Sequence, residues 1–167
     1  KIAPVVVPIW DSSKKVTGII DVLNKRAYEM QKLKRVEITL SEDKLSVVDE
    51  FNFNLKEAVA ETDEELMERF FETEGEDFTY AEMINGMHTG VKELSLFPVL
   101  CGSGVTCLGS LMLMDQIINL LPNPEQGNYH KATTADGKVE EFIVSGGGVP
   151  SAFVFKTVSD QYGKYSF

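Results

Sequence analysis

The chain has 167 residues, 43% hydrophobic and 25% charged, which is enough apolar material for one medium-sized core with a smaller piece beside it. Its formal net charge is −10, and no apolar run approaches the ~18 residues that a membrane-spanning helix needs. Two cysteines, Cys101 and Cys107, and two histidines exclude a disulfide framework and a zinc-type ligand cluster, so reduced thiols in a cytoplasmic protein are expected.

The N-terminus, Lys1-Ile2-Ala3-Pro4, has neither the basic nor the apolar region of a signal peptide, and the missing initiator Met points to a piece of a longer chain. Ile2, Val5-Val6-Val7 and Ile9, between Pro4 and Pro8, form a run suited to a strand buried on both faces of a parallel sheet. After the polar turn 11–15, residues 16–23 predict a strand and 26–30 its return. In residues 35–40, Val36, Ile38 and Leu40 alternate with Arg35, Glu37 and Thr39, the period of a strand with one wet face. These make an antiparallel sheet of about three strands.

Ser41 is positioned to cap a helix that opens on Glu42 and Asp43, with Leu45, Val48, Phe51, Leu55 and Val59 at helical spacing. Thr62-Asp63-Glu64-Glu65 has capping-box form ahead of Leu66, Met67, Phe70 and Phe71. Thr79-Tyr80-Ala81-Glu82 repeats it ahead of Met83, Ile84 and Met87, with Gly90 as a natural stop. Three helices with apolar stripes are expected to cover one face of the sheet.

Residues 94–100 read as another apolar strand, with Pro98 arguing for an edge position. The loop Cys101-Gly102-Ser103-Gly104-Val105-Thr106 leads to a helix with the stripe Leu111, Met114, Ile117, Ile118 and Leu121, ended by Pro122 and Pro124. Residues 123–137 read as a loop, 138–144 as a short strand, and Ser145-Gly146-Gly147-Gly148 as a hinge. Residues 151–158 alternate like a strand of another sheet, and the chain stops at Phe167 in what should be the next, unpaired strand.

Charge is unevenly spread. Glu42 to Glu82 holds 15 acids against Lys44, Lys56 and Arg69, a segment of −12, whereas residues 1–40 are +4. Such a face repels a phosphate backbone, so direct nucleic-acid binding through it is disfavoured, and it is either a solvated surface or a docking site.

No catalytic constellation is apparent. His88 and His130 have no nucleophile at interpretable spacing. Cys101 and Cys107 lie near a helix start, where a thiol can be acidified, but small buried cysteines are the expectation and an enzyme using Cys101 is a third reading. Neither Gly102-Ser103-Gly104 nor Gly146-Gly147-Gly148 continues as Gly-Lys-Ser/Thr, so a P-loop is absent. The first still lies between an apolar strand and a helix, where α/β sheets hold ligands.

In order, these pieces resemble bacterial elongation factor G, a translational GTPase family. Pro4-Val5-Val6-Val7-Pro8-Ile9 is similar to the family's strand running into Pro-Ile-Gly, with Trp10 in place of the Gly. Thr17-Gly18-Ile19-Ile20-Asp21-Val22 resembles the opening of its G-prime insertion, and Glu64-Glu65-Leu66-Met67-Glu68-Arg69-Phe70 the acidic helix of that insertion. Phe97 to Gly104 resembles the fifth guanine-nucleotide motif, with Gly104 where the family has Ala. Asp115 to Pro124 resembles the helix ending in Tyr-Leu-Pro-Ser-Pro, and Ala152-Phe153-Val154-Phe155-Lys156 the first strand of the β-barrel second domain.

The resemblance implies an α+β fold: an antiparallel sheet covered by helices, attached to the last strand and helix of a P-loop-type α/β domain, plus the first strands of a β-barrel. It divides the chain into a nucleotide-domain strand (1–10), the insertion (11–93), the last strand, guanine loop and helix (94–124), a linker (125–150) and a truncated second domain (151–167). It implies a ribosomal translocation factor whose parent uses GTP or GDP with Mg²⁺, while these residues, lacking the P-loop, switches and Asn-Lys-x-Asp, are expected to bind neither nucleotide and to be inactive alone. Ser103, Gly104 and Val105 are implied to lie beside the guanine. Glu57, Glu61, Glu64, Glu65 and Glu68 are implied contacts for the globular domain of the ribosomal stalk protein. No metal or membrane partner is expected. A ribosomal-protection or release-factor-type GTPase, and an independent acidic adaptor domain, are the competing readings.

Overall fold

A computed structural model describes residues 1–32, 34–126, 130–148, 150 and 152–167. The chain splits into two compact units, Lys1–Pro122 and Asn123–Phe167.

The first unit is built on a five-stranded mixed sheet of order β4-β3-β2-β1-β5. Its strands are β1 (Ile2–Trp10), β2 (Val16–Asp21), β3 (Arg26–Gln31), β4 (Lys34–Ile38) and β5 (Phe97–Leu100). β2 to β4 are joined antiparallel, as the alternation of residues 16–40 predicts, while β1, read as a parallel-sheet strand, pairs antiparallel with β2 on one side and parallel with β5 on the other. The antiparallel strands therefore continue into β1, which joins them to the parallel pair in one sheet.

Two prolines in a central strand have a physical explanation here. β5 pairs with β1 only over Ile2–Val6 and β2 only over Val6–Trp10, with the β5 register shifting between Pro4 and Val6. Pro4 and Pro8 each sit where β1 has a neighbour on one side, where a missing N–H is tolerated. Pro98 lies on β5, an edge strand, in agreement with the sequence reading.

Four helices, α1 (Glu42–Ala60), α2 (Glu64–Thr73), α3 (Tyr80–Lys92) and α4 (Ser110–Leu120), complete this unit. α1 packs against β1, α2 and α3, and α3 against α4 and β5. The core joins Val5, Val6 and Ile19 of the sheet to Leu55 and Val59 of α1, Met83 and Met87 of α3, and Met112 and Leu120 of α4. Asn52, 3% exposed, donates from Nδ2 to the Val22 carbonyl at 2.9 Å and so ties α1 to the end of β2.

The helix ends refine the expectations. Thr79 and Glu82 form a complete capping box at α3, as predicted. At α2 the cap is Asp63, whose carboxylate accepts from the Glu65 and Leu66 amides, while the Thr62 hydroxyl turns back to the Val59 carbonyl. Ser41 has the extended backbone of a cap but makes no side-chain cap bond.

Gly90 is not a stop. α3 runs on to Lys92, and Leu94 takes the left-handed turn at φ 59°. A Cβ on Gly90 would meet the Leu96 Cβ at 2.7 Å and the Thr62 Cγ2 at 3.1 Å, so this glycine is a close-packing position. The turn through Leu94 also shortens the following strand to Phe97–Leu100.

The stripe expected to bury α4 is also corrected. Leu111, Met114, Ile117, Ile118 and Leu121 are exposed, and the buried positions are Met112, Gln116 and Leu120. Residues 111–114 are all apolar, so helical periodicity alone does not select a face. The extended backbone of Leu121 ends the helix before Pro122, as a pre-proline residue favours.

The second unit contains two hairpins, β6 (His130–Thr133) with β7 (Val139–Phe142) and β8 (Thr157–Asp160) with β9 (Gly163–Ser166), and one 3₁₀ turn at Pro124–Gln126. β7 lies within the predicted strand 138–144. β6 falls in a stretch read as loop. In the predicted strand 151–158, Ser151 lies outside the described residues and the assigned strand begins only at Thr157. The expected unpaired terminal strand is instead paired with β8 across a tight turn, in which the Asp160 carboxylate accepts from the amides of Tyr162 and Gly163.

Candidate functional site

The loop after β5 is shaped by its backbone contacts. The Cys101 amide donates to the Val6 carbonyl at 3.2 Å, anchoring the loop's start to β1. The Ser103 amide donates to the Leu108 carbonyl at 2.8 Å, closing the loop on itself, and the Ser103 hydroxyl accepts from the Thr106 amide at 3.3 Å. Glycine is required at Gly109, which has φ +79° and where a Cβ would stand 2.6 Å from the Cys101 carbonyl oxygen. This packing opens a concavity of about 280 Å³ lined by the loop, Leu100 and the first residues of α4.

The three loop residues singled out in the sequence lie together but are not equivalent. The Ser103 amide is already committed to Leu108. Among the described residues the amides of Gly104 and Val105 make no intramolecular hydrogen bond, and the Val105 side chain is 95% exposed. The loop can thus present two neighbouring main-chain donors to an acceptor, whatever the side chains. A Cβ on Gly104 would meet nothing within 4 Å.

Cys101 is half-buried, and burial pushes its thiol above the ordinary value, the opposite of what a nucleophile needs. His88 uses Nδ1 to contact the Leu120 carbonyl at 3.1 Å, a tie between α3 and α4. Among the described residues, no three His, Cys, Asp or Glu side chains gather as a metal site requires, and no helix is long and apolar enough to cross a membrane.

The second candidate surface is acidic, and the five glutamates named for it divide. Glu57 and Glu61, at the end of α1, flank Lys1 Nζ at 3.2 and 2.8 Å. Burial works against the Lys1 ammonium, but the hydrogen bonds and charges of Glu61 and Glu57 prevail and raise its pKa. Glu64, Glu65 and Glu68 lie exposed on α2 with no basic partner among the described residues.

The sequence reading missed Arg69. It donates from Nε to Asp77 at 2.9 Å and from Nη1 to Glu82 at 2.5 Å, and its guanidinium lies 5.4 Å from the Phe78 ring centroid. Glu82 is held down to about 2, first by Arg69 and then by the Thr79 backbone and hydroxyl. Asp77 is lowered by Thr73 and Arg69. Arg69 therefore fixes the α2–α3 junction and is spent in doing so. Its position as the only Arg or Lys between Lys56 and Lys92 was the available signal.

A parallel edge strand running into a glycine-bearing loop at the start of a helix is the arrangement that α/β nucleotide-binding proteins use at strand carboxyl ends. Over its whole length the chain is 34% identical to the elongation factor G-like protein of Thermotoga maritima, and it spans about a quarter of that protein, 24%. It also matches a crystal structure from Thermus thermophilus with a TM-score of 0.73 and 27% identity, over 99% of this chain and 22% of the other. No family model matches. The resemblance to elongation-factor-G-like proteins drawn from the motifs is borne out by the first of these similarities.

Proposed function

We propose that this chain is the part of an elongation-factor-G-like translational GTPase that carries the guanine-contacting loop and an acidic surface for recruitment to the ribosome. The observation that carries the reading is a similarity to such a protein that runs from end to end of the chain. Residues 1–10 and 94–124 then belong to the nucleotide domain, 11–93 to its insertion, 125–150 to a linker and 151–167 to the start of the second domain.

In this reading the parent holds GTP or GDP with Mg²⁺, which supplies the phosphoryl chemistry through residues outside this chain. The loop fits a guanine: the free amides of Gly104 and Val105 would donate to its carbonyl oxygen, and Ser103, bonded to Leu108 and Thr106, would hold them in place. The −12 segment would steer a basic partner, the globular domain of the stalk protein, raising the encounter rate more than the final affinity. Glu64, Glu65 and Glu68 are free to act directly, whereas Glu57 and Glu61 share their charge with Lys1. A cytoplasmic location accompanies a ribosomal partner.

Three measurements test this. Calorimetry on the isolated chain is expected to detect no micromolar GTP binding, because one loop supplies two donors and no phosphate site. In the full-length parent, Val105→Pro should weaken GDP binding by removing a donor, and Val105→Ala should not. GTP binding by the isolated chain, or a silent Val105→Pro in the parent, would overturn the assignment. Charge reversal at Glu64, Glu65 and Glu68 should slow stalk-dependent turnover, most at low salt.

A further inference from the structure

Among the described residues Phe71 is the most exposed large apolar side chain on the four helices. Its ring is 79% exposed, although its neighbour Phe70 is 9% exposed and packs 5.4 Å from the Phe53 ring centroid. At ~100° per residue, α2 turns Leu66 and Phe70 to the core and brings Phe71 to the outer face beside Glu64 and Glu68, two turns and one turn earlier. Glu72 follows on the same side. None of these three carboxylates has a basic partner among the described residues, so the ring sits at the border of an uncompensated negative surface. The exposed Phe71 ring forgoes the burial energy that Phe70 gains.

We propose that Phe71 is the apolar anchor of the acidic docking surface, and that its occupant is a protein face carrying Lys or Arg side chains around an apolar pocket. The argument is charge complementarity beside an exposed apolar ring. Rim charges such as Glu64 and Glu68 set the encounter rate and the orientation, while a desolvated aromatic holds the complex once formed. A second copy docking symmetrically is a poor occupant, because it would bring the same unpaired carboxylates to the interface. The inference rests on the acidic-surface reading and deepens it by separating steering from holding.

The test titrates the globular domain of the ribosomal stalk protein into the 167-residue chain and its variants, following association and dissociation rates at two salt concentrations. Phe71→Ala should weaken binding roughly tenfold or more, mainly through faster dissociation, with the salt dependence of association unchanged. Phe71→Leu should recover part of the loss. The pair Glu64→Gln and Glu68→Gln should slow association and flatten its salt dependence. The melting temperature of Phe71→Ala should match that of the parent chain, since the ring makes little of the core. If the glutamine pair weakens binding and Phe71→Ala does not, the anchor is refuted and the acidic surface stands. If neither matters, or the unaltered chain fails to bind, both are refuted.

Discussion

Gly90→Ala distinguishes two roles for one glycine. In an exposed helix interior the change would gain about 1 kcal/mol of helix propensity. At Gly90, however, the added Cβ would stand 2.7 Å from the Leu96 Cβ, about 1 Å inside ordinary contact. Leu96 is 2% exposed, and a Cβ cannot be moved by rotating a side chain. The backbone cannot yield freely either, because the Ser95 and Leu96 amides both donate to the Gly90 carbonyl, at 2.9 and 3.0 Å. Overpacking of this kind costs about 1–3 kcal/mol, and the clash at a fixed atom belongs in the upper part of that range. Net of propensity, we expect a loss of about 1–2 kcal/mol, read as a lower urea midpoint at unchanged slope by circular dichroism. Gly90→Asn supplies the control. A helix stop with positive φ would accept Asn better than Ala, whereas a packing site should accept it worse. A Gly90→Ala chain as stable as its parent, or an Asn variant more stable than the Ala variant, would refute the packing argument.

The remaining expectations are independent of that one. Gly104→Ala meets open space at a φ outside the left-handed region, so it should raise stability by about 0.4–1 kcal/mol through the unfolded chain, measured by the same urea titration. Gln116 is 8% exposed and its Oε1 has no hydrogen-bond partner among the described residues; Gln116→Met should therefore raise the melting temperature, by an amount corresponding to about 1 kcal/mol. Arg69→Met should destabilise the chain at pH 7. Because Glu82 and Asp77 have folded-state values depressed below the ordinary carboxylate range, their contribution is present above about pH 4.5 and is lost as pH falls through the folded values, toward about 2 for Glu82. The melting-temperature gap between Arg69→Met and the unaltered chain should narrow over that window; a gap independent of pH would remove the ion cluster as its cause.

Elements whose pattern has one solution were legible in the sequence. Residues 35–38 alternate strictly, and Thr79 with Glu82 satisfies the spacing of a reciprocal cap, so β4 and the start of α3 follow directly. α4 is the opposite case: Leu111, Met112, Leu113 and Met114 are apolar all round the helix, and only its packing neighbours decide that Met112 and Leu120 go inside. β6 carries His130, Lys131, Ala132 and Thr133, all exposed, so it has no hydrophobic period to read. Gly90 looked like a stop because a glycine is chosen for closeness as well as for φ, and the closeness depends on Leu96 and Thr62, which sequence spacing does not bring together. In the site, the glycine loop after an apolar strand was visible, but which amides remain free depends on the Ser103–Leu108 bridge. The pairing of Glu57 and Glu61 with Lys1, far away along the chain, was likewise invisible.

The most direct test of the account follows the backbone amides of Gly104 and Val105 in the full-length polypeptide, selectively ¹⁵N-labelled, as nucleotide is added. Both resonances should shift on addition of GDP and not of ADP, and the Ser103 amide, bonded to Leu108, should move less. Binding of GDP with the Gly104 and Val105 amides unmoved would contradict the assignment of this loop to the guanine.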